Sequence, residues 1–194
     1  CIWKSLQEDP EAAPNDDVKR IAIAVECFHK ASLIHDDIED ADELRYGEPT
    51  VHSSHGVPLA LNAGDLLLGE GYRLIGECTA SPQRVADLLR VAAAGHRSLC
   101  LGQGAELCWS RNRQPLSSLE VLGIFRQKTS PAFEVALQMG AVLAGESSLA
   151  PILTRFSTAL GIAYQIRDDV DDIAGADSSD LMAQRPTLPL AILK

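Results

Sequence analysis

Two acidic stretches carry the residues best suited to chemistry: Asp36-Asp37-Ile38-Glu39-Asp40 and Asp168-Asp169-Val170-Asp171-Asp172. On a helix, residues four apart share a face with Cβ atoms roughly 5–6 Å apart, so Asp36 projects with Asp40 and Asp168 with Asp172. Carboxylates placed this way repel each other unless a cation sits between them. Oxygen donors without His or Cys suit Mg²⁺, which keeps water and binds through one or two carboxylates plus substrate phosphates. The competing reading of an acidic turn is a solvated cap. Against it, each cluster follows closely on an apolar stretch, Ala31-Ser32-Leu33-Ile34 or Leu160-Gly161-Ile162-Ala163. Two such turns on two long helices, facing one another, would form a mouth lined with carboxylates.

The elements that must position these clusters read as helices throughout, because period-2 alternation and aromatic residues are both sparse. Asn15-Asp16-Asp17 can cap a helix whose apolar stripe begins Ile21, Val25, Phe28 and which runs to about Leu44. A second helix is expected from about Val57 to Gly76, with Gly64, Gly69 and Gly71 weakening it. A third opens at Ser81-Pro82 and ends around Gly102 to Ala105. Arg111 to Pro115 is a polar connection. A fourth helix begins at Ser117-Ser118-Leu119-Glu120 and is interrupted at Lys128-Thr129-Ser130-Pro131, where the proline removes a backbone donor. The fifth runs from about Leu149 to Ile173, Gly175 to Gln184 is a loop, and Pro186-Thr187-Leu188-Pro189 starts a last segment. With no repeat and no linker, residues 1–194 read as one all-α domain.

Composition narrows the chemistry further. The formal net charge of −10 argues against nucleic acid, whose phosphates are bound by clustered Lys and Arg. A small anionic substrate stays compatible, since bound divalent cations reverse the local sign of a carboxylate site. The five cysteines are odd in number and form no CxxC; most sit among apolar residues and read as small buried thiols in a reducing, cytoplasmic setting rather than as zinc ligands. No apolar run approaches the roughly 20 residues that span a membrane. The opening Cys1-Ile2-Trp3-Lys4 has neither an initiator Met nor a signal pattern, and reads as an internal piece of something longer.

Taken with its surroundings, Ala31 to Asp40 resembles the first aspartate-rich motif, DDxxD, of the trans-isoprenyl diphosphate synthases, or polyprenyl synthetases. Tyr164-Gln165-Ile166-Arg167 followed by Asp168 to Asp172 is similar to the second. Gly56 to Asp65, Gly102-Gln103-Gly104, Lys128-Thr129 and Arg185-Pro186-Thr187-Leu188-Pro189 also match that family in order and spacing, the last as its K-x-T-L-P stretch with Arg at the basic position. The resemblance implies an isoprenoid synthase-type helical bundle with a central active-site cavity, and a homodimer. It further implies an enzyme that condenses an allylic diphosphate with isopentenyl diphosphate, using three Mg²⁺ ions with the bound diphosphate.

Carried over residue by residue, the resemblance makes Asp36, Asp40 and Asp168 the direct metal ligands, supported by Asp37, Asp169 and Asp172. Arg45 and Lys128 would contact the allylic diphosphate, and Gln103 and Arg185 would join the diphosphate-binding set. Thr129 and Gln165 would handle the cation and the departing proton, with Lys128, as the catalytic group. His29, two turns before Asp36 on the same face, would approach isopentenyl diphosphate; a structural histidine is an equal alternative. The small Ala31 and Ser32, with Phe28 one turn deeper, imply a product of geranylgeranyl length or longer. Three departures bear on activity: Tyr46 stands where a second arginine is usual, the family's N-terminal Gly-Gly-Lys-Arg segment has no counterpart, and Gly175 to Gln184 lacks the usual lysine. They keep open a non-catalytic partner subunit of a heteromeric prenyltransferase; a class I terpene cyclase, which shares the fold and an aspartate-rich motif, is the other alternative, against which two DDxxD clusters favour the synthase.

Overall fold

Capping chemistry sets most of the element boundaries. The computed structural model describes residues 2–7, 9, 13–112, 114–174 and 187–192, without the side chains of residues 172–174 and 190. After a short helix α1 (Ile2–Ser5), the first long helix α2 (Asp16–Asp40) starts where the Asn15 side chain accepts a hydrogen bond from the Val18 N–H at 2.9 Å. It stops at Asp40, short of the expected Leu44. Ala41 turns left-handed (φ 56°), its N–H reaches Ile38 O, and the Asp42 N–H closes on Asp37 O at 3.0 Å. That is the Schellman arrangement, with alanine where glycine is usual.

A hairpin absent from the sequence reading follows, β1 (Leu44–Arg45) paired antiparallel with β2 (Glu48–Pro49). Both residues of its turn, Tyr46 (φ 55°) and Gly47 (φ 83°), have positive φ, as a two-residue hairpin requires. Next come α3 (Val51–His55), also unexpected, and α4 (Val57–Gly76), which matches its expected bounds. Helix α5 (Pro82–Arg111) runs past Gly102 and Gly104, which were expected to end it. Helices α6 (Ser118–Lys128) and α7 (Ser130–Ala144) meet at Thr129, the expected break. A reciprocal capping box between Ser117 and Glu120 starts α6. Helix α8 (Ala150–Ala174) follows a single 3-10 turn, and α9 (Leu188–Ile192) comes last among the described residues.

Among the described residues the chain is all-α apart from the hairpin, and it divides into two compact units. The first is Cys1–Ala92 with Met139–Ser147. There α2 packs along α4 through two glycines of the latter. A Cβ on Gly64 would lie 2.3 Å from the His35 ring, and one on Gly71 would lie 2.4 Å from the Phe28 ring. Two of the three glycines that weaken α4 as an isolated helix, Gly64 and Gly71, are the ones that admit these rings, whereas a Cβ on Gly69 would meet nothing within 4 Å. Ile21, Ala24, Ala31, Ala60 and Ile75 are buried with them. At its N-terminal end α2 is clasped by Asp17, which accepts from the Thr79 N–H (2.9 Å) and hydroxyl (3.1 Å).

The second unit is Ala93–Gln138 with Ser148–Lys194. Val121, Phe125, Val135 and Leu153 are buried in it. Helix α8 crosses the start of α7 at Gly161, where a Cβ would lie 2.7 Å from Ser130 Cα and N. The cysteines depart from expectation: Cys100 and Cys108 are exposed, and Cys27 and Cys78 are half-buried. Helix periodicity explains the difference, since both exposed thiols fall on outward-facing positions of α5; Cys1 lies outside the described residues. Among the described residues, no helix is long and apolar enough to cross a membrane.

Candidate functional site

Both aspartate clusters occupy the C-terminal turns of helices of the same length, 25 residues each, α2 and α8. This is the unfavourable end for a carboxylate, because the aligned peptide dipoles leave partial negative charge there. Neither helix has a basic residue in its last turn to offset it. A nearby cation therefore stabilises each; on α8 itself, one turn back, Arg167 Nε lies 3.5 Å from Asp171 Oδ2, an exposed pair.

In the first unit the chain supplies one cation itself. The Schellman turn and the hairpin fold Arg45 back onto the cluster. Its Nε donates to Asp37 Oδ1 at 2.5 Å, and its Nη2 lies 3.6 Å from Asp36 Oδ2 and 3.9 Å from Asp42 Oδ2. Asp37 is 4% exposed, and burial pushes its carboxyl above the usual range; Arg45 opposes this, while Asp42 and Asp36 add to it. Burial acts to lower the Arg45 pKa, but the three carboxylates outweigh it and raise it, so the guanidinium stays charged. Asp36 and Asp40 are less buried than Asp37 and lie four residues apart. His35, just before the cluster, packs against Gly64 with Nε2 3.5 Å from Asp65 Oδ1.

The other residues expected in this half lie along α2 as follows. Ala31 is fully buried, whereas Ser32 is exposed and its hydroxyl donates to His29 O at 2.8 Å. Phe28 meets Tyr72 edge-to-face, with ring centroids 5.0 Å apart. His29 is exposed and sits 3.5 Å from Glu26 Oε2. Tyr46, at the hairpin tip, is 87% exposed.

In the second unit the equivalent buried aspartate is Asp169, 5% exposed, and its Oδ2 accepts from the Leu188 N–H at 2.7 Å. The second aspartate of each motif is thus tied to the protein, one to a guanidinium and the other to a backbone amide. Asp168 and Gln165 are half-buried on α8. They lie seven and four residues after Gly161, on the face that meets Ser130, so the break carrying Lys128 and Thr129 abuts that face. Asp172 is described only as a backbone position of α8, and Arg185 lies outside the described residues.

Helix α5 approaches the same break from another side. Lys128 Nζ is 3.2 Å from Glu106 Oε2, a pairing the sequence reading missed. The available signal was an acidic residue in a mostly apolar helix, one turn after Gly102. Both amide atoms of Gln103 are buried without a hydrogen-bond partner among the described residues. Such a group costs about 1–3 kcal/mol unless water or a ligand meets it.

The donor set fits magnesium. Among the described residues no three His, Cys, Asp or Glu side chains converge into an all-protein cage. Mg²⁺ does not require one, since it is held by a pair of carboxylates and completed by water and phosphate oxygens.

The model of the polyprenyl synthetase family matches residues 2–191. The chain belongs to the polyprenyl synthetase family. Its relatives include the geranylgeranyl pyrophosphate synthase of Geoglobus acetivorans, 33% identical over 174 residues, which cover 86% of this chain and 54% of the relative. The farnesyl diphosphate synthase of Escherichia coli is 35% identical over 165 residues, 79% of this chain and 54% of its own. The solved geranylgeranyl pyrophosphate synthetase of Geoglobus acetivorans superposes with a TM-score of 0.88 at 30% identity, covering 99% of this chain and 60% of that one. The chain spans about half the length of the curated relatives it matches. Polyprenyl synthetases with different product names are similar to it to the same degree, so similarity alone does not set product length.

Proposed function

We propose that the protein is a magnesium-dependent trans-polyprenyl diphosphate synthase that joins an allylic diphosphate to isopentenyl diphosphate. The observation that carries this reading is the placement of both aspartate clusters on the C-terminal turns of long helices, where the helix dipole disfavours clustered carboxylates and a bound cation offsets it. Asp36, Asp40 and Asp168 are assigned as the groups that hold Mg²⁺, with Asp37, Asp169 and Asp172 in support. When bound, the metal neutralises charge on the leaving diphosphate as a Lewis acid.

The remaining work falls to the chain's own residues. Asp37 orients Arg45, whose planar fork suits phosphate oxygens, and Lys128 offers a point charge to the same allylic diphosphate. Gln103 supplies buried donor and acceptor atoms for the substrate, and Arg185 and His29 are further phosphate contacts. Thr129 and Gln165 lie against the cation and take part in moving the proton lost after the new C–C bond forms. Ala31, Ser32 and Phe28 line the path of the growing chain. Two small residues before a ring imply a product of geranylgeranyl length or longer. The reading also carries a single domain over residues 1–194, three metal ions, a homodimer and a cytoplasmic location.

Incubating the protein with Mg²⁺, isopentenyl diphosphate and allylic diphosphates of increasing length tests it. Elongated diphosphates are expected, and hydrocarbons or alcohols would overturn it in favour of a cyclase. A second reading, a non-catalytic partner subunit, is favoured by one observation: Tyr46 places an exposed, uncharged ring where the family carries a cation. Turnover appearing only when a homologous catalytic subunit is added would support that reading.

A further inference from the structure

Glu106 is 8% exposed in a stretch, Leu101 to Leu107, that is otherwise small or apolar apart from Gln103. A carboxylate is seldom buried so far without a compensating partner. Here the partner is Lys128, 22 residues away in sequence. Its Nζ lies 3.3 Å from Oε1 and 3.2 Å from Oε2, and the two side chains are 19% and 10% exposed.

The approach depends on Gly102, one turn before Glu106 on the same face of α5. A Cβ at Gly102 would lie 2.5 Å from both Gln127 C and Lys128 N. Those are backbone atoms, which cannot rotate away, so any larger residue would push α5 off the α6–α7 break. A lysine ammonium ends a flexible four-carbon stem with considerable rotamer freedom. Contact with both oxygens of a buried carboxylate restricts that freedom.

We propose that Glu106 is a positioning residue for Lys128, and that Gly102 sets the distance across which it acts. The inference rests on the reading that Lys128 contacts the allylic diphosphate. Glu106 itself does not touch substrate; it fixes where the cation stands before substrate arrives.

The test is steady-state kinetics of the full chain with Mg²⁺ and both diphosphates, comparing E106Q, E106D, K128A and the E106Q/K128A double variant. E106Q and K128A are each expected to raise KM for the allylic diphosphate about tenfold, with KM for isopentenyl diphosphate unchanged and the double variant no worse than K128A. E106D, which keeps the charge on a shorter stem, should restore most of the loss. A purely structural role would lower Tm and move both KM values together, which overturns the proposal. If K128A is impaired while E106Q keeps the wild-type allylic KM, or if the two losses add, positioning fails and the role of Lys128 stands. A silent K128A overturns both. Should E106Q fail to fold, E106D decides: a rise of about threefold in the allylic KM supports the proposal, and an unchanged KM overturns it.

Discussion

In the first aspartate cluster the buried carboxylate, Asp37, is held by the guanidinium of Arg45; in the second, Asp169 is held by the backbone N–H of Leu188. A guanidinium brings a full charge and opposes the desolvation of its partner without outweighing it, so Asp37 and Arg45 form a pair whose members depend on each other. An amide brings a dipole and no charge, so Asp169 works instead as a latch that fixes the start of α9 against α8. The two motifs are therefore anchored differently, the first by an ion pair and the second by a hydrogen bond from a neutral backbone amide. What the two share is the division of labour: the second aspartate is tied to protein, and its less buried neighbour, Asp36 or Asp168, is the one assigned to metal.

The largest expected effect tests that shared feature. Asp36→Ala and Asp168→Ala should each lower kcat on the order of 10²–10³-fold with little change in Tm, since each removes charge stabilisation used at the transition state. Equal, small losses from both would break the assignment. Next in size, Arg45→Ala should destabilise the fold by about 2 kcal/mol in urea unfolding, near the low end for truncating a buried charge pair because the guanidinium is partly exposed. Arg45→Lys should recover little, because a lysine cannot reproduce the fork.

A paired substitution sharpens the contrast between anchors. Asp169→Asn keeps an oxygen that can accept from Leu188, and should cost under about 1 kcal/mol. Asp37→Asn removes the carboxylate nearest to Arg45, leaving only Asp36 and Asp42 at 3.6 and 3.9 Å, and should cost visibly more. Identical costs would show that the two anchors are equivalent after all.

The smallest effect compares the two ends of α2. Asp17, at the N-terminal end, is also buried, and burial alone would raise its pKa; the Thr79 amide and hydroxyl and Arg20 outweigh it and hold the carboxyl below its usual range. Because the folded value is lower than the unfolded one, its contribution is complete above about pH 4 and is lost as pH falls through the folded value. Wild type and Asp17→Asn should differ by about 1 kcal/mol at pH 7, with the gap closing in acid. A gap that widens in acid would contradict the sign.

Helix identity was readable where local chemistry decides it. The Asn15 cap, the capping box at Ser117 and the break before Pro131 each act within four residues, and each stands where the pattern put it. Local rules misled at Gly102 and Gly104, which look like a helix end. They continue the helix, and Gly102 must be small for the sake of the backbone of Gln127 and Lys128, not for its own conformation. The early stop of α2 was invisible for a related reason: alanine rarely adopts the left-handed turn that Ala41 takes.

What the sequence by itself determined is the pair of acidic turns and the helices that carry them, because both follow from side-chain type and a 3.6-residue period. The tertiary structure alone decided which carboxylate of each pair is tied down and by what. Arg45 reaches Asp37 through a hairpin, Leu188 reaches Asp169 from 19 residues on, and Glu106 reaches Lys128 from another helix. Each of these contacts joins residues whose separation along the chain carries no signal until the backbone has folded and the burial of one charge requires the other.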